Sequence, residues 1–529
     1  MRRWNGWGDS GQVFPLSPAA RDYLAKAVGP AEPQPDASMD SVLRSVPNSR
    51  FPPHPLLTTD PTERLRHARG QSLPDWIALR SGSIETFPDA VAYPESEETL
   101  QDLIALAQAQ NACIIPYGGG TSVVGHINPI ASARACLTVD MKHLDRLLAF
   151  DESSRLATFE AGIAGPALES NLRQLGYTLG HFPQSFEFST LGGWIATRST
   201  GQQSYYYGRI EDLFAGGQVE TPAGTLRLPP LPASAAGPDL RQFVLGSEGR
   251  IGIISRAVVR VRPLPESERF LGLFFRHWDE GVAAVKAMAQ SGVGVSMIRL
   301  SDPIETQTTL ALAGLGRGAA AGLRALASLG YGEHKVLCLV GLTVEPGRPS
   351  DSRRACLSIT RAHGGLNLGR YVGHHWERSR FSTPYLRNTL WDDGYALDTL
   401  ETALPWNKAV PLAPALSTAL AQGLAEEGEL VLAFVHLSHV YVDGASLYAT
   451  YLFRRHRDPK RTLERWERLK RLASDMILSQ GGTISHQHGV GLDHRDYVEQ
   501  EKGEVGMTAL RAVLASVDPQ AIMNPGKLA

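Results

Sequence analysis

Apolar positions along the chain follow two rhythms, and the change from one to the other marks its parts. The opening is broken by Pro, Asp and Ser, with a helical patch over residues 17–28 and a breaker-rich stretch, RFPPHPLLTTDP. Residues 1–85 therefore read as an N-terminal arm that wraps the rest. From about Pro88 the pattern tightens. AVAYP reads as a short strand, SEETLQDLIALAQAQN as an amphipathic helix opened by a Ser-x-x-Glu-like cap, and ACIIPYGGG as a strand running into a glycine loop. Strand alternation returns in CLTVDM, SRLATFEAG, GQVETPAG and VVRVRP, with the helix GPALESNLRQLG among them.

A second region mixes the strands FLGLFF, VSMIRL, KVLCLVGL and GELVLAFVHLSHVYVDGASLYATYLF with the helices DEGVAAVKAMAQSG, DSRRACLSITRAHGG and AVPLAPALSTALAQGLAEEG. A charged amphipathic helix, PKRTLERWERLKRLASDMILSQGG, comes next, and then GTISHQHGVG, the helix MTALRAVLASVDP and IMNPGKLA. The predicted class is α+β: a two-part first domain over 86–265, a cap over 266–480 with an antiparallel sheet and flanking helices, and a segment over 481–529 that returns to the first domain.

Composition narrows the partners. At 529 residues and 43% hydrophobic the chain exceeds a single core, so two or more packed domains are expected. A formal net charge of −2 gives no bulk electrostatic footprint for nucleic acid, which points to a small-molecule partner. Cys113, Cys136, Cys338 and Cys356 form no CxxC pair and read as reduced core thiols. The opening residues lack a signal-peptide h-region and no apolar run reaches the roughly 20 residues of a spanning helix, so a cytoplasmic location is expected. GKLA is not an SKL-type address.

The candidate chemistry begins at Pro116-Tyr117-Gly118-Gly119-Gly120-Thr121-Ser122. Successive glycines after an apolar strand let the backbone approach a ligand, and N–H groups with two hydroxyls offer an anion nest. Neither the GK[ST] of a phosphate loop nor a GxGxxG is present, and by itself such a turn is more often structural. Later segments change that weighing: Gln184 and Ser185, then Ser189, Thr190, Gly192 and Gly193, then Thr197, Arg198, Ser199 and Thr200, and finally Glu248, Gly249, Gly252, Ile253 and Ile254. Together they resemble the vanillyl-alcohol-oxidase (PCMH-type) FAD-binding superfamily over about residues 88–265. The resemblance implies that these residues hold FAD. Relatives with covalent FAD often carry histidine where Gly120 stands, so it also implies non-covalent binding.

HFPQSFEFSTLGGWIATRSTGQ, PYLRN, LETALPWNK, HVYVDGASLYATYLF, GGTISHQHGVG and IMNPGKL, in that order, resemble the alkyldihydroxyacetonephosphate synthases over nearly the whole chain. What this implies is an exchange without net redox change: acyl-dihydroxyacetone phosphate loses its fatty acid and gains a long-chain alcohol as an ether, through a covalent adduct at flavin N5. By the same resemblance Arg387 binds substrate phosphate, Tyr448 is the catalytic proton carrier if its pKa is lowered, and His486 and His488 belong to an active-site triplet. Alternate residues of a strand or turn share a face, so His486 and His488 are expected to point together. Gln487 replaces the middle histidine of the triplet; it can contact substrate but cannot transfer a proton near neutrality.

Three competing readings stand beside this one. An FAD-linked 2-hydroxyacid dehydrogenase of the lactate and glycolate type would need a metal. His436 and His439 are candidate ligands, but Tyr448 stands for the second histidine and Gln487 for the glutamate of that pattern, so no metal is expected. A flavin-binding protein whose chemistry has lapsed and an aromatic-alcohol oxidase are the other two. Lipid substrates imply contact with a membrane surface, to which Arg454, Arg455, Arg457, Lys460 and Arg461 could contribute. Relatives suggest a homodimer.

Overall fold

The computed structural model describes residues 2–313, 317–347 and 351–529. Cys113–Tyr117 and Ala90–Ala92 flank Cys136–Asp140 in a three-stranded parallel sheet. Parallel neighbours need a crossover, and the helix Glu97–Ala109 supplies it, burying Leu100, Leu103, Ile104 and Ala107. Its N-cap Ser96 accepts from the backbone N–H of Thr99, so Thr99 and not a glutamate occupies the third helical position. All five positions of Cys136–Asp140 are buried, as a strand covered on both faces requires.

A five-stranded antiparallel sheet forms the other half of the first domain, in the order Leu147–Asp151, Leu156–Glu160, Ile253–Arg260, Phe214–Thr221, Gly224–Leu228. The two halves share a boundary at Ile253, which packs with Ile114, Leu137 and Met523.

The cap holds a seven-stranded antiparallel sheet, in the order Leu366–Asn367, Ser267–Phe275, Val336–Val344, Met297–Ser301, Val431–Val440, Gly444–Arg454, Tyr395–Pro405. Side-chain alternation splits its residues cleanly. Val435, Leu437, Leu447, Ala449 and Phe453 pack in one core with residues of the helices Trp278–Ser291, Trp406–Gln422 and Pro459–Ser479. On the opposite face Leu432, Phe434, His436, Tyr448, Thr450 and Leu452 line a cavity. Tyr395–Pro405 and the helices Tyr371–Ser379 and Thr383–Asp392 add to the elements that hydrophobic alternation had suggested.

Both ends of the chain reach this interior. In the arm, the helix Pro18–Val28, capped by Ser17, packs Ala20, Leu24 and Val28 against Leu390, Tyr395, Leu432 and Leu452 of the cap. Trp7 exchanges backbone hydrogen bonds with the Asn388 amide at 3.2 and 2.9 Å. Far along the chain, Ile114 donates to Ile522 O (2.8 Å) and Asn524 donates to Ile114 O (2.7 Å). The four cysteines are buried and free; burial pushes the Cys136 thiol up to about 12. No helix among the described residues is long and apolar enough to cross a membrane. The basic run is largely engaged within the fold: Arg454 pairs with Glu429, Arg457 with Glu32 and Arg461 with Glu464, while Arg455 lies 3.9 Å over the Trp391 ring.

Candidate functional site

The cavity between the first domain and the cap has a volume of about 890 Å³. Of the residues expected to hold the cofactor, all but Arg198 line it: the loop from Pro116 to Ser122, Gln184, Ser185, Ser189, Thr190, Gly192, Gly193, Thr197, Ser199, Thr200, Glu248, Gly249, Gly252, Ile253 and Ile254. The backbone N–H groups of Gly118, Gly119, Gly120, Thr121 and Ser122 donate to no acceptor among the described residues. Five unpaired donors in succession at a cavity wall suit the diphosphate of FAD. Gly120 sits at φ +66°, in the left-handed region. A Cβ on Gly119 would lie 1.9 Å from Phe188 O, so the loop and the segment before Ser189 meet backbone to backbone. Gly119→Ala is expected to force these walls apart and lose most bound flavin, read as the ratio of flavin to protein absorbance.

Arg198 is not among the residues that line the cavity. It ends the helix Leu191–Thr197 at φ 52°, and its guanidinium turns to Leu245 O (3.1 Å) and Gln242 Oε1 (2.6 Å). Its role is to tie that helix to the 242–245 segment. Glu248 likewise spends its carboxylate on the chain, accepting from Val490 N at 2.5 Å and Gly491 N at 2.9 Å. His126 fills the gap beside it, 3.1 Å from Glu248 Oε1 and 2.9 Å from Ser122 Oγ.

Across the cavity, the strand Gly444–Arg454 presents Tyr448. Its hydroxyl donates to Thr399 Oγ1 at 3.0 Å, and its ring stacks on His436 (5.0 Å) and meets the His488 ring edge-on (5.5 Å). Burial pushes the phenol above its ordinary value, the reverse of the lowering expected for a proton carrier. His436 is held 3.1 Å from Glu305 Oε1, which also takes Arg299 Nη2 at 2.6 Å. Although burial opposes it, His436 and Arg299 keep Glu305 well below the usual carboxylate range. His439 stacks on His486 at 5.2 Å, and burial lowers its pKa to about 3. His436 is thus committed to its contact with Glu305, with burial lowering its pKa below the ordinary value, and His439 is a neutral ring. Among the described residues no group of three or more His, Cys, Asp or Glu side chains is arranged to hold a metal ion.

The Ser485–Gly489 segment is a turn, and it separates the two histidines. Gln487 and His488 line the cavity; His486 lies behind its wall. There His486 Nε2 is 2.9 Å from Arg209 Nη1 and 2.5 Å from the Tyr441 hydroxyl. Arginine can only donate, so Nε2 carries no proton and Nδ1 does. The hub of the turn is Glu401, a fully buried carboxylate that pattern reading missed. Its Oε1 accepts from Gln487 N (2.6 Å), His488 N (2.5 Å) and Ser485 Oγ (3.1 Å), and its strand register places it opposite Tyr448. Removing it would strand three part-buried donors, at about 1 kcal/mol each. Glu401→Ala is expected to lose about 3 kcal/mol in denaturant melts, and Glu401→Gln to lose turnover with flavin retained.

Arg387 enters from the helix Thr383–Asp392. Its guanidinium lies 4.5 Å from the Trp76 ring and donates to Gln71 O, while Nε and Nη2 find no acceptor in the protein. A buried cation so poorly satisfied at a cavity wall favours an anionic ligand. Beyond it the wall turns apolar, with Leu24, Leu312, Leu390, Leu432, Phe434 and Leu452. Asn524 and the arm residues Trp7, Gln71 and Trp76 complete the lining. Asn524 belongs to the IMNPGKL segment, whereas Trp7, Gln71 and Trp76 carry no motif of their own.

A glycine-lined anion nest between a parallel and an antiparallel sheet, under a cap that carries the polar side chains, defines a flavoprotein of the FAD-linked oxidase class. The family model described as FAD binding domain matches residues 88–228, and that of FAD linked oxidases, C-terminal domain, matches 264–528. Alkyldihydroxyacetonephosphate synthase of Dictyostelium discoideum is 31% identical over 99% of this chain and 93% of its own length. That of Caenorhabditis elegans is also 31% identical, over 99% and 95%. A solved alkyldihydroxyacetonephosphate synthase structure, 29% identical, superposes with a TM-score of 0.87 over 100% of this chain and 99% of the other. This chain belongs to the alkyldihydroxyacetonephosphate synthase family.

Proposed function

We propose that this chain replaces the acyl group of acyl-dihydroxyacetone phosphate with the alkoxy group of a long-chain alcohol, releasing the fatty acid. The observation that carries the reading is one cavity that joins an anion nest suited to FAD, an unsatisfied buried arginine and an apolar wall. The loop from Pro116 to Ser122 with Ser189, Thr190 and Gly249 would hold FAD, which when bound would supply the electrophilic chemistry of the exchange. Arg387 receives the phosphate, fixing the substrate by its charged end. Leucines and Phe434 hold the chain and exclude water from the reacting carbon. Tyr448, neutral at the outset and donating to Thr399, is placed to take the proton from the carbon bearing the ester once its own has been released. The His488 ring stands edge-on to it, and the Glu401 clamp fixes the turn that carries His488.

Lipid substrates bring with them a cytoplasmic protein that meets the membrane peripherally. Val13 and Phe14, which line the cavity and are 66% and 37% exposed, support that contact better than the basic run. The test is incubation of FAD-loaded protein with palmitoyl-dihydroxyacetone phosphate and labelled hexadecanol. Labelled ether and stoichiometric palmitate are expected; FAD-loaded protein that forms no ether overturns the reading.

A further inference from the structure

Arg380 follows the helix Tyr371–Ser379 and lines two cavities at once. One is the main cavity; the other is a hollow open to solvent that lies against the helix Gly165–Gln174. The segment 182–186 is the partition. Pro183, Gln184 and Ser185 face the main cavity, and Phe182 and Phe186 face the second. The Arg380 guanidinium is surrounded by rings, 4.7 Å from Phe381, 4.9 Å from Phe182, 5.7 Å from Trp376 and 5.9 Å from Phe270.

No carboxylate among the described residues lies within ion-pair distance of this charge, and Glu268 and Glu377 act on it only from farther off. Its acceptor is the neutral Gln203 Oε1, 2.9 Å from Nη1. Gln203 in turn donates to Glu268 at 2.8 Å, which keeps that carboxylate one amide away. A second cation, Arg173, lines the outer cavity with its side chain 56% exposed. Its pairing with Glu169 is loose, at 3.7 Å, because the Glu169 oxygens already accept from Thr178, Leu179 and Gly180. An aromatic cradle with an unpaired guanidinium at its inner end matches a carboxylate head on an apolar chain.

We propose that Arg380 and the second cavity form the receiving site for the fatty carboxylate set free in the exchange, so that the acid leaves past Arg380. The inference rests on the proposed exchange. There the carbon–oxygen ester bond breaks with its electron pair on the acid, which departs as carboxylate. The alcohol forms the new carbon–oxygen bond and loses its proton, the carbon regains the hydrogen that the base had taken, and the one proton left over goes to solvent, so the released acid is an anion.

The experiment is calorimetric titration of FAD-loaded protein with palmitate and with its uncharged methyl ester. Palmitate is expected to bind at least about tenfold tighter, the range of one charge-assisted contact. Arg380→Gln is expected to remove that preference and Arg380→Lys to keep part of it, while Arg387→Ala leaves it in place. Equal binding of the two ligands by the unaltered protein overturns the site, whatever the variants do. Loss of the preference in Arg387→Ala also overturns it, because the carboxylate then occupies the phosphate position. Protein that forms ether but shows no preference refutes the site alone. Protein that forms no ether but shows an Arg380-dependent preference keeps the site and refutes the exchange.

Discussion

Arg387→Ala is expected to lower kcat/KM for acyl-dihydroxyacetone phosphate by about a thousandfold, with flavin content unchanged. The guanidinium is buried over Trp76, and two of its nitrogens lack acceptors in the protein. A phosphate there gains charge-assisted bonds in a dry site, and truncating one partner of such a buried pair costs about 2–5 kcal/mol. Lysine should not restore the loss, because an ammonium cannot stack on the indole while donating as a fork. The measurement is steady-state ether formation over a range of substrate concentration. A change confined to the alcohol's KM would place the phosphate elsewhere.

Tyr448→Phe is expected to reduce kcat by about 10²- to 10⁴-fold, the usual worth of a positioned proton carrier. Its pH behaviour carries the sharper signature. Burial raises the phenol's pKa, so at neutral pH the phenolate is a small fraction that grows about tenfold per pH unit until the raised pKa is reached. The native rate should therefore climb through the alkaline range, and the phenylalanine variant should lose that limb. A variant that keeps the limb would assign the proton to another group, with His488 the nearest ring. Removing the hydroxyl also frees Thr399 Oγ1, so Thr399→Val in the phenylalanine background is expected to add little further loss.

The part of the site built from backbone was legible in the sequence, because glycine and hydroxyl residues are needed where a chain must approach a diphosphate. The loop from Pro116 to Ser122 could be placed on the cavity before any side chain was seen. Side-chain direction was less legible. Arg198 stands between two cavity residues and still turns away, since the left-handed residue that ends a helix sends its side chain off the helix line. His486 and His488 were expected to share a face on strand-like spacing, but Glu401 gathers the intervening N–H groups and closes a turn. Glu401 itself lay unnoticed in LETALP, where an alternating strand with one acid looks like any half-exposed edge. Trp7, Gln71 and Trp76 escaped because a wall drawn from the far end of the chain leaves no local pattern. Most strands of the cap were readable, Tyr395–Pro405 and the short Leu366–Asn367 excepted, their period of two surviving because one face is packed by helices and the other lines the cavity.

The return of residues 522–524 to the strand Cys113–Tyr117 also sets an order of assembly. The glycine loop is made early in synthesis, but Asn524, which lines the same cavity, emerges some four hundred residues later. Until then the nest stands open on one side, and contacts so distant in sequence close slowly. Flavin capture should consequently be a late event of biogenesis. Cells short of flavin would accumulate full-length chains with an unfinished interior, and cleavage just before Ile522 would release the cofactor from an otherwise folded protein.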